Sequence, residues 1–141
     1  MKLNRILCPT DFSEPGNAAN WYATLLAETT DAEIVYVHIA YPELLGGVDS
    51  EARAMEQDME RRIGPLQPDV RCSWIVRYGS PAREIVEVAR ELAVDLIVMG
   101  THGRTGARHL LHGSVAAQVL RHADCPVLTV KSPVSAEVAP D

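Results

Sequence analysis

The sequence predicts an α/β fold: a doubly wound, three-layer sandwich whose central sheet has five parallel strands. Three observations predict it. Strand-like and helix-like segments alternate along the whole chain. The apolar runs carry no polar alternation, as expected of strands covered on both faces. The longest connection, a glycine-rich stretch, falls between the fourth strand and the helix that follows it. A chain of 141 residues, 47% of them hydrophobic, suits one globular domain able to bury most of its apolar surface. We place that domain at residues 1–131 and expect a disordered tail, rich in Pro, Ala and Ser, at 132–141.

The elements follow in order. Leu3 to Cys8 reads as the first strand, and Pro9-Thr10-Asp11-Phe12-Ser13 breaks it and supplies N-cap candidates. The first helix then runs from about Glu14 to Thr29, with Ala18, Tyr22, Leu25 and Leu26 on one face. Ile34 to Ile39 is a central strand, and Tyr41 to Gly47 a flexible connection. A second helix from about Ser50 to Leu66 should bury Ala52, Met55, Met59, Ile63 and Leu66 and turn Glu51, Arg53, Glu56, Glu60 and Arg61 outward. Val70 to Tyr78 places Cys72, Trp74 and Val76 on one side and Arg71, Ser73 and Arg77 on the other, the pattern of an edge strand with one face partly wet. Ser80 as N-cap and Pro81 as first helical residue start a third helix through Ala93, with Ile85, Val86, Ala89 and Leu92 toward the core. Asp95 opens the fourth strand, a fourth helix spans Ser114 to His122, and Pro126 to Lys131 is the fifth strand.

Charge and cysteine usage bound the function. A formal net charge of −6 argues against nucleic acid as a partner, because phosphate backbones attract basic surfaces. No signal peptide is evident, and no apolar stretch approaches the ~20 residues of a membrane span. The expectation is a soluble, cytoplasmic protein with no membrane contact. Cys8, Cys72 and Cys125 lie far apart without a C-x-x-C pairing, so they read as reduced, mostly buried thiols.

Gly100 to Ser114 reads G-T-H-G-R-T-G-A-R-H-L-L-H-G-S and demands a functional explanation. A strand-to-helix connection in such folds takes about two to six residues, and this one is about twice that. Between Asp95 and Asp124 there is no acidic residue, while Arg104, Arg108, Arg121 and four of the five histidines fall there. Glycines let backbone N–H groups approach an anion, and a following helix N-terminus adds unpaired donors and a favourable dipole. The stretch therefore reads as a phosphate-binding loop. It lacks the Gly-Lys-Ser/Thr of a Walker loop and sits in the wrong place for the dinucleotide fingerprint. Right-handed crossovers put the first strand beside the fourth, where the winding reverses, and ligands bind beyond the strand ends at that switch point. Pro9-Thr10-Asp11 and the glycine loop converge there.

Gly100-x2-Gly103-x9-Gly113-Ser114 resembles the G-2x-G-9x-G-[S/T] nucleotide-binding motif of the universal stress protein family. The resemblance extends to Pro9-Thr10-Asp11-Phe12-Ser13, Val37-His38-Ile39, Gly79-Ser80-Pro81, Val94 to Gly100 and Cys125 to Val130. It implies a strand order of 3-2-1-4-5, in the Rossmann-like, adenine nucleotide alpha hydrolase-like class. It further implies ATP as ligand and a homodimer joined along the fifth strands. By the same resemblance Pro9, Thr10 and Asp11 line the nucleoside end, and the backbone near Ile39, or Val37 if the register is shifted, meets the adenine edge. Met99 packs near the base or sugar. Gly100, His102, Gly103 and Arg104 surround ribose and phosphates, and Gly113, Ser114, Val115 and Ala116 bind phosphate at the helix N-terminus. Mg2+ can accompany the phosphates, with Asp11 facing it through water.

Two histidines stand apart from that pattern. His112 occupies a place where the family carries an apolar residue, and with His109 it forms H-L-L-H. Two ligands without a cysteine or carboxylate are too few for zinc, so His112 reads instead as a source of pH-dependent charge beside phosphate. His38 reads as a hydrogen-bonded core residue. A kinase or hydrolase needs a base and a cation near the γ-phosphate; Arg104 and Arg108 offer charge, but the loop holds no carboxylate. The expectation is a nucleotide-binding regulatory module, not an enzyme beyond slow ATP hydrolysis. The alternative is an ATP-consuming phosphotransfer or adenylate-forming enzyme. A flavodoxin-like carrier is disfavoured, since its phosphate loop follows the first strand and only 5% of residues are aromatic.

Overall fold

The computed structural model describes residues 2–10, 18–40, 48–63, 69–101 and 113–131. Nine elements alternate: β1 (Arg5–Pro9), α1 (Ala18–Thr30), β2 (Glu33–Ala40), α2 (Val48–Ile63), β3 (Cys72–Tyr78), α3 (Pro81–Leu92), β4 (Leu96–Gly100), α4 (Gly113–His122) and β5 (Val127–Val130). The five strands form one sheet of order β3-β2-β1-β4-β5, every neighbouring pair parallel. The expected order is therefore the observed one. β3 lies at an edge as its half-wet pattern foretold.

Successive residues on a strand point to opposite faces, and both faces here are apolar. Leu7, Val35, Val37, Ile39, Ile97 and Met99 pack with Ile85, Val88 and Ala89 of α3 and Ala116 and Val119 of α4. Ile6, Cys8, Ile34, Tyr36 and Val98 pack on the other side with Ala19, Ala23 and Ala27 of α1 and Met59 of α2. Tyr36, wholly buried, donates its hydroxyl to Asn20 Oδ1 and stacks on Trp74 with ring centroids 5.2 Å apart.

Helix α1 buries a face shifted from the one expected. Ala18 and Leu26 pack against the core, partly buried, but Ala19, Asn20, Ala23 and Ala27 are the residues inside, while Tyr22 and Leu25 are exposed, with Trp21 59% exposed. Alanine at i, i+4 and i+8 lets the helix axis approach the sheet closely, and Asn20 is the acceptor for the buried Tyr36 hydroxyl. That polar demand outweighs the larger hydrophobic residues, because a buried hydroxyl without a partner costs about 1–3 kcal/mol.

Smaller corrections concern boundaries. β1 starts at Arg5 and includes Pro9, β3 starts at Cys72 and α4 starts one residue early, at Gly113. Ser80 is the extended N-cap residue of α3 but makes no side-chain capping bond; Pro81 opens the helix. Leu92 is only partly buried against the core, and Val88, fully buried, takes a core place not expected of it. The expected starts and ends at Glu14, Leu66 and the 132–141 tail lie outside the described residues.

The N-terminal end of the sheet is tied together. Asp95 Oδ2 accepts the N–H groups of Asn4 and Arg5 at 2.8 and 3.0 Å. The Arg5 guanidinium donates to the Leu92 carbonyl at 2.6 Å and pairs with Glu33 at 3.2 Å. At the far end of α3, Ala93 adopts φ 50° and ψ 50° and its N–H satisfies a helix carbonyl, a left-handed closure that few side chains accept without cost.

All three cysteines are free thiols, with Cys8 buried and Cys72 and Cys125 half-buried. Burial pushes Cys8 up to about 12 from its ordinary 9.0 and Cys72 up to about 11. Burial favours the neutral thiol, so the folded state holds these protons more tightly than the unfolded chain. The stability this contributes is complete below the unfolded value near 9 and declines as pH rises toward the folded values. Denaturation midpoints measured from about pH 8 to about pH 11 are therefore expected to fall, and Cys8→Ala to make the fall shallower. A flat profile in the wild type contradicts the assignment.

Candidate functional site

The site is built by the way β1 leaves its neighbours. Against β2 it pairs along its whole length, from Arg5↔Glu33 to Pro9↔Val37, and Thr10 extends the contact with its N–H 2.9 Å from the Val37 carbonyl. Against β4 it pairs only at Ile6↔Leu96 and Leu7↔Ile97. Beyond Leu7 no further β1–β4 rung is registered, while β4 stays on β5 through Gly100↔Val130 and the Thr101 N–H bond to Val130 at 3.0 Å.

Proline at this point is chemically apt. Backbone groups on a parallel strand point alternately to the two neighbours. Thr10 faces β2 through its bond to Val37 and Arg5 faces β4 through the bond its carbonyl accepts from Asp95, so residue 9 falls on the β4 side. Proline has no N–H to offer there. A proline inside a central strand is otherwise unfavourable; at the last residue of β1 it ends the β1–β4 ladder and leaves no orphaned donor.

On β4, the residues that bond β5 are Ile97 and Thr101, so the N–H and C=O of Gly100 point to the β1 side, across the opening. On β2, the Val37 carbonyl is engaged by Thr10. The backbone groups of Ile39 point the same way, one rung past the last registered pair. The first turn of α4, Gly113 to Ala116, supplies N–H groups with no partner inside the helix.

Met99 is fully buried, and Ile39 and Ala116 nearly so, all within the core on the α3/α4 side, with Val115 packed against it. They form the floor beneath the crevice, so what Ile39 and Ala116 can offer a ligand is main chain. Pro9 and Thr10 are buried at its lip. Asp11, His102, Gly103 and Arg104 lie outside the described residues, as do Arg108, His109 and His112. The structure thus brings Pro9, Thr10, Ile39, Met99, Gly100 and the start of α4 to one end of the sheet.

The electrostatics of the described surroundings are self-contained. Arg77, at the carboxyl end of β3, is bonded to Glu91 and lies 3.9 Å from Glu84; the Glu91 bond raises its pKa and lowers that of Glu91. A groove of about 310 Å³ between α3 and α4, lined in part by Arg83, Val86, Glu87, Arg90 and His122, contains none of the crevice residues. Its cations are balanced, Arg83 by Glu87 and Arg90 by Asp124. Among the described residues no three His, Cys, Asp or Glu side chains cluster to hold a metal ion, and no helix is long and apolar enough to cross a membrane.

One contact at the crevice was not foreseen as part of the site. His38 Nδ1 lies 3.2 Å from the Thr10 carbonyl oxygen. The only signal for it in the sequence is the V-H-I ending of the second strand opposite Pro9-Thr10.

This architecture defines a doubly wound α/β protein with its opening at the β1/β4 switch point. The universal stress protein family model matches residues 2–131, and the chain belongs to that family. Universal stress protein MJ0531 of Methanocaldococcus jannaschii is 34% identical over 140 residues, covering 92% of this chain and 82% of the relative. The solved structure of MJ0577, a universal stress protein of the same organism, is 27% identical with a TM-score of 0.67, covering 93% of this chain and 97% of that one. A universal stress protein solved in complex with cAMP has a TM-score of 0.70 at 23% identity, covering 94% and 99%; at that identity the likeness is one of fold.

Proposed function

We propose that this protein binds ATP in the β1/β4 crevice and serves as a nucleotide-dependent regulatory module that hydrolyses ATP slowly or not at all. The observation that carries the reading is the end of the β1–β4 ladder after Leu7↔Ile97, with Gly100 on one side and the first turn of α4 starting at Gly113. The spacing Gly100-x2-Gly103-x9-Gly113-Ser114 supplies the glycines that let backbone N–H groups approach a polyphosphate.

In this reading Pro9, Thr10 and Asp11 bound the nucleoside, Asp11 accepting from ribose hydroxyls. Ile39 presents its main chain to the adenine edge. Val37 is disfavoured for that role, since its carbonyl is already used by Thr10. Met99 supports the base or sugar from beneath. Gly100, His102, Gly103 and Arg104 surround ribose and phosphates, and Gly113, Ser114, Val115 and Ala116 hold phosphate at the helix N-terminus. Mg2+ enters with the phosphates, which supply most of its ligands, Asp11 touching it through water. A second copy pairs along β5, whose Leu128 is exposed on a strand that can extend its ladder outward.

Titration calorimetry with Mg·ATP is expected to give binding in the wild type. Ser114→Ala, which removes one hydroxyl from a phosphate oxygen, should weaken it about five- to tenfold, and Gly113→Val, which crowds the cradle, by more. Binding unaltered by both substitutions refutes the site. Single-turnover assays with labelled ATP should give less than about one turnover per minute; clearly faster hydrolysis favours the ATP-consuming enzyme instead. Sedimentation velocity is expected to show a dimer that Leu128→Arg converts to monomer, and a monomeric wild type rules out the β5 contact.

A further inference from the structure

β1 delivers the chain to the crevice with both backbone groups of Thr10 directed at β2. Its N–H donates to the Val37 carbonyl at 2.9 Å, and its carbonyl oxygen lies 3.2 Å from Nδ1 of His38, the next residue along β2. A carbonyl oxygen can only accept, so Nδ1 carries the hydrogen and the ring adopts the Nδ1–H tautomer. His38 is half-buried where the β1–β2 ladder ends. The contact therefore joins β2 to the carbonyl of the residue just past the last β1–β2 pair, Pro9↔Val37.

We propose that His38 is a positioning residue of the nucleotide site, fixing Thr10 at the end of β1 by donating Nδ1–H to its carbonyl. This rests on the ATP-binding reading above and adds to it a residue that does not itself touch the nucleotide. Held by its N–H and its carbonyl at once, Thr10 is fixed at the lip of the opening where ribose and phosphates are proposed to lie. A peptide group already oriented spares the ligand the cost of ordering it on binding.

Three variants and one spectrum test this. Asparagine places an amide N–H close to where Nδ1 stands, whereas glutamine reaches the position of Nε2 and leucine offers no donor. Titrations with Mg·ATP should give His38→Asn an affinity within about twofold of wild type, and His38→Gln and His38→Leu a loss of about five- to tenfold, the worth of one hydrogen bond. Thermal melts recorded beside each titration separate this from general destabilisation. If His38→Leu does not fold, the Asn and Gln pair decides. Histidine 15N NMR of the wild type should show the Nδ1–H tautomer at His38. The proposal is overturned by the Nε2–H tautomer, by His38→Gln binding ATP as tightly as wild type, or by His38→Asn losing as much as His38→Gln. A wild type that binds no ATP overturns the functional reading and this proposal with it. The tautomer result remains independent of that failure.

Discussion

The short β1–β4 ladder is the constraint on which the rest of this molecule depends. In a parallel sheet every backbone donor seeks an acceptor on a neighbouring strand, and two central strands of equal length would zip to their ends. Here the ladder halts after Leu7↔Ile97 because the next β1 residue facing β4 is Pro9. The proline removes the donor whose loss would otherwise have to be compensated, and Thr10, whose turn it is to face β2, continues the ladder there. The ladder between two strands that are both buried in the centre of the sheet therefore ends at Pro9 without leaving an unsatisfied N–H at that residue.

Such a short ladder is tolerable only if the opposite end of the sheet is held. Asp95 accepts from two consecutive β1 amides, and Arg5 bridges β2 and the end of α3 through Glu33 and the Leu92 carbonyl. The β1–β4 ladder is thus held at its amino end and stops short at its carboxyl end. The two apolar clusters on either face hold the helices that border the opening. The buried side chains of Ile39 and Met99 anchor main chain that would otherwise be free to close it.

Much of this was legible in the sequence. Apolar runs without alternation, such as Ile34 to Ile39, announced strands covered on both faces, and the glycine loop after Met99 announced the switch point. What periodicity could not show was the buried face of α1. Counting large hydrophobic residues favours Tyr22 and Leu25, whereas the outcome is decided by close approach through three alanines and by the need of the Tyr36 hydroxyl for Asn20. The His38 to Thr10 contact was hidden for a similar reason: it links residues 28 apart, and no local pattern encodes a side chain meeting a carbonyl of another strand. Met99, expected near the base or sugar, has its side chain in the core. Position in a motif does not reveal whether a residue serves through its side chain or by supporting its neighbours.

The α1 surface has a practical corollary. The chain has two tryptophans: Trp21 projects from the outer face of α1, 59% exposed, while Trp74 lies partly buried, stacked on Tyr36. Their indoles differ in exposure and so in access to collisional quenchers. The protein thereby carries two native optical labels, one reporting the packing of edge strand β3 and the other whatever approaches the outer helix.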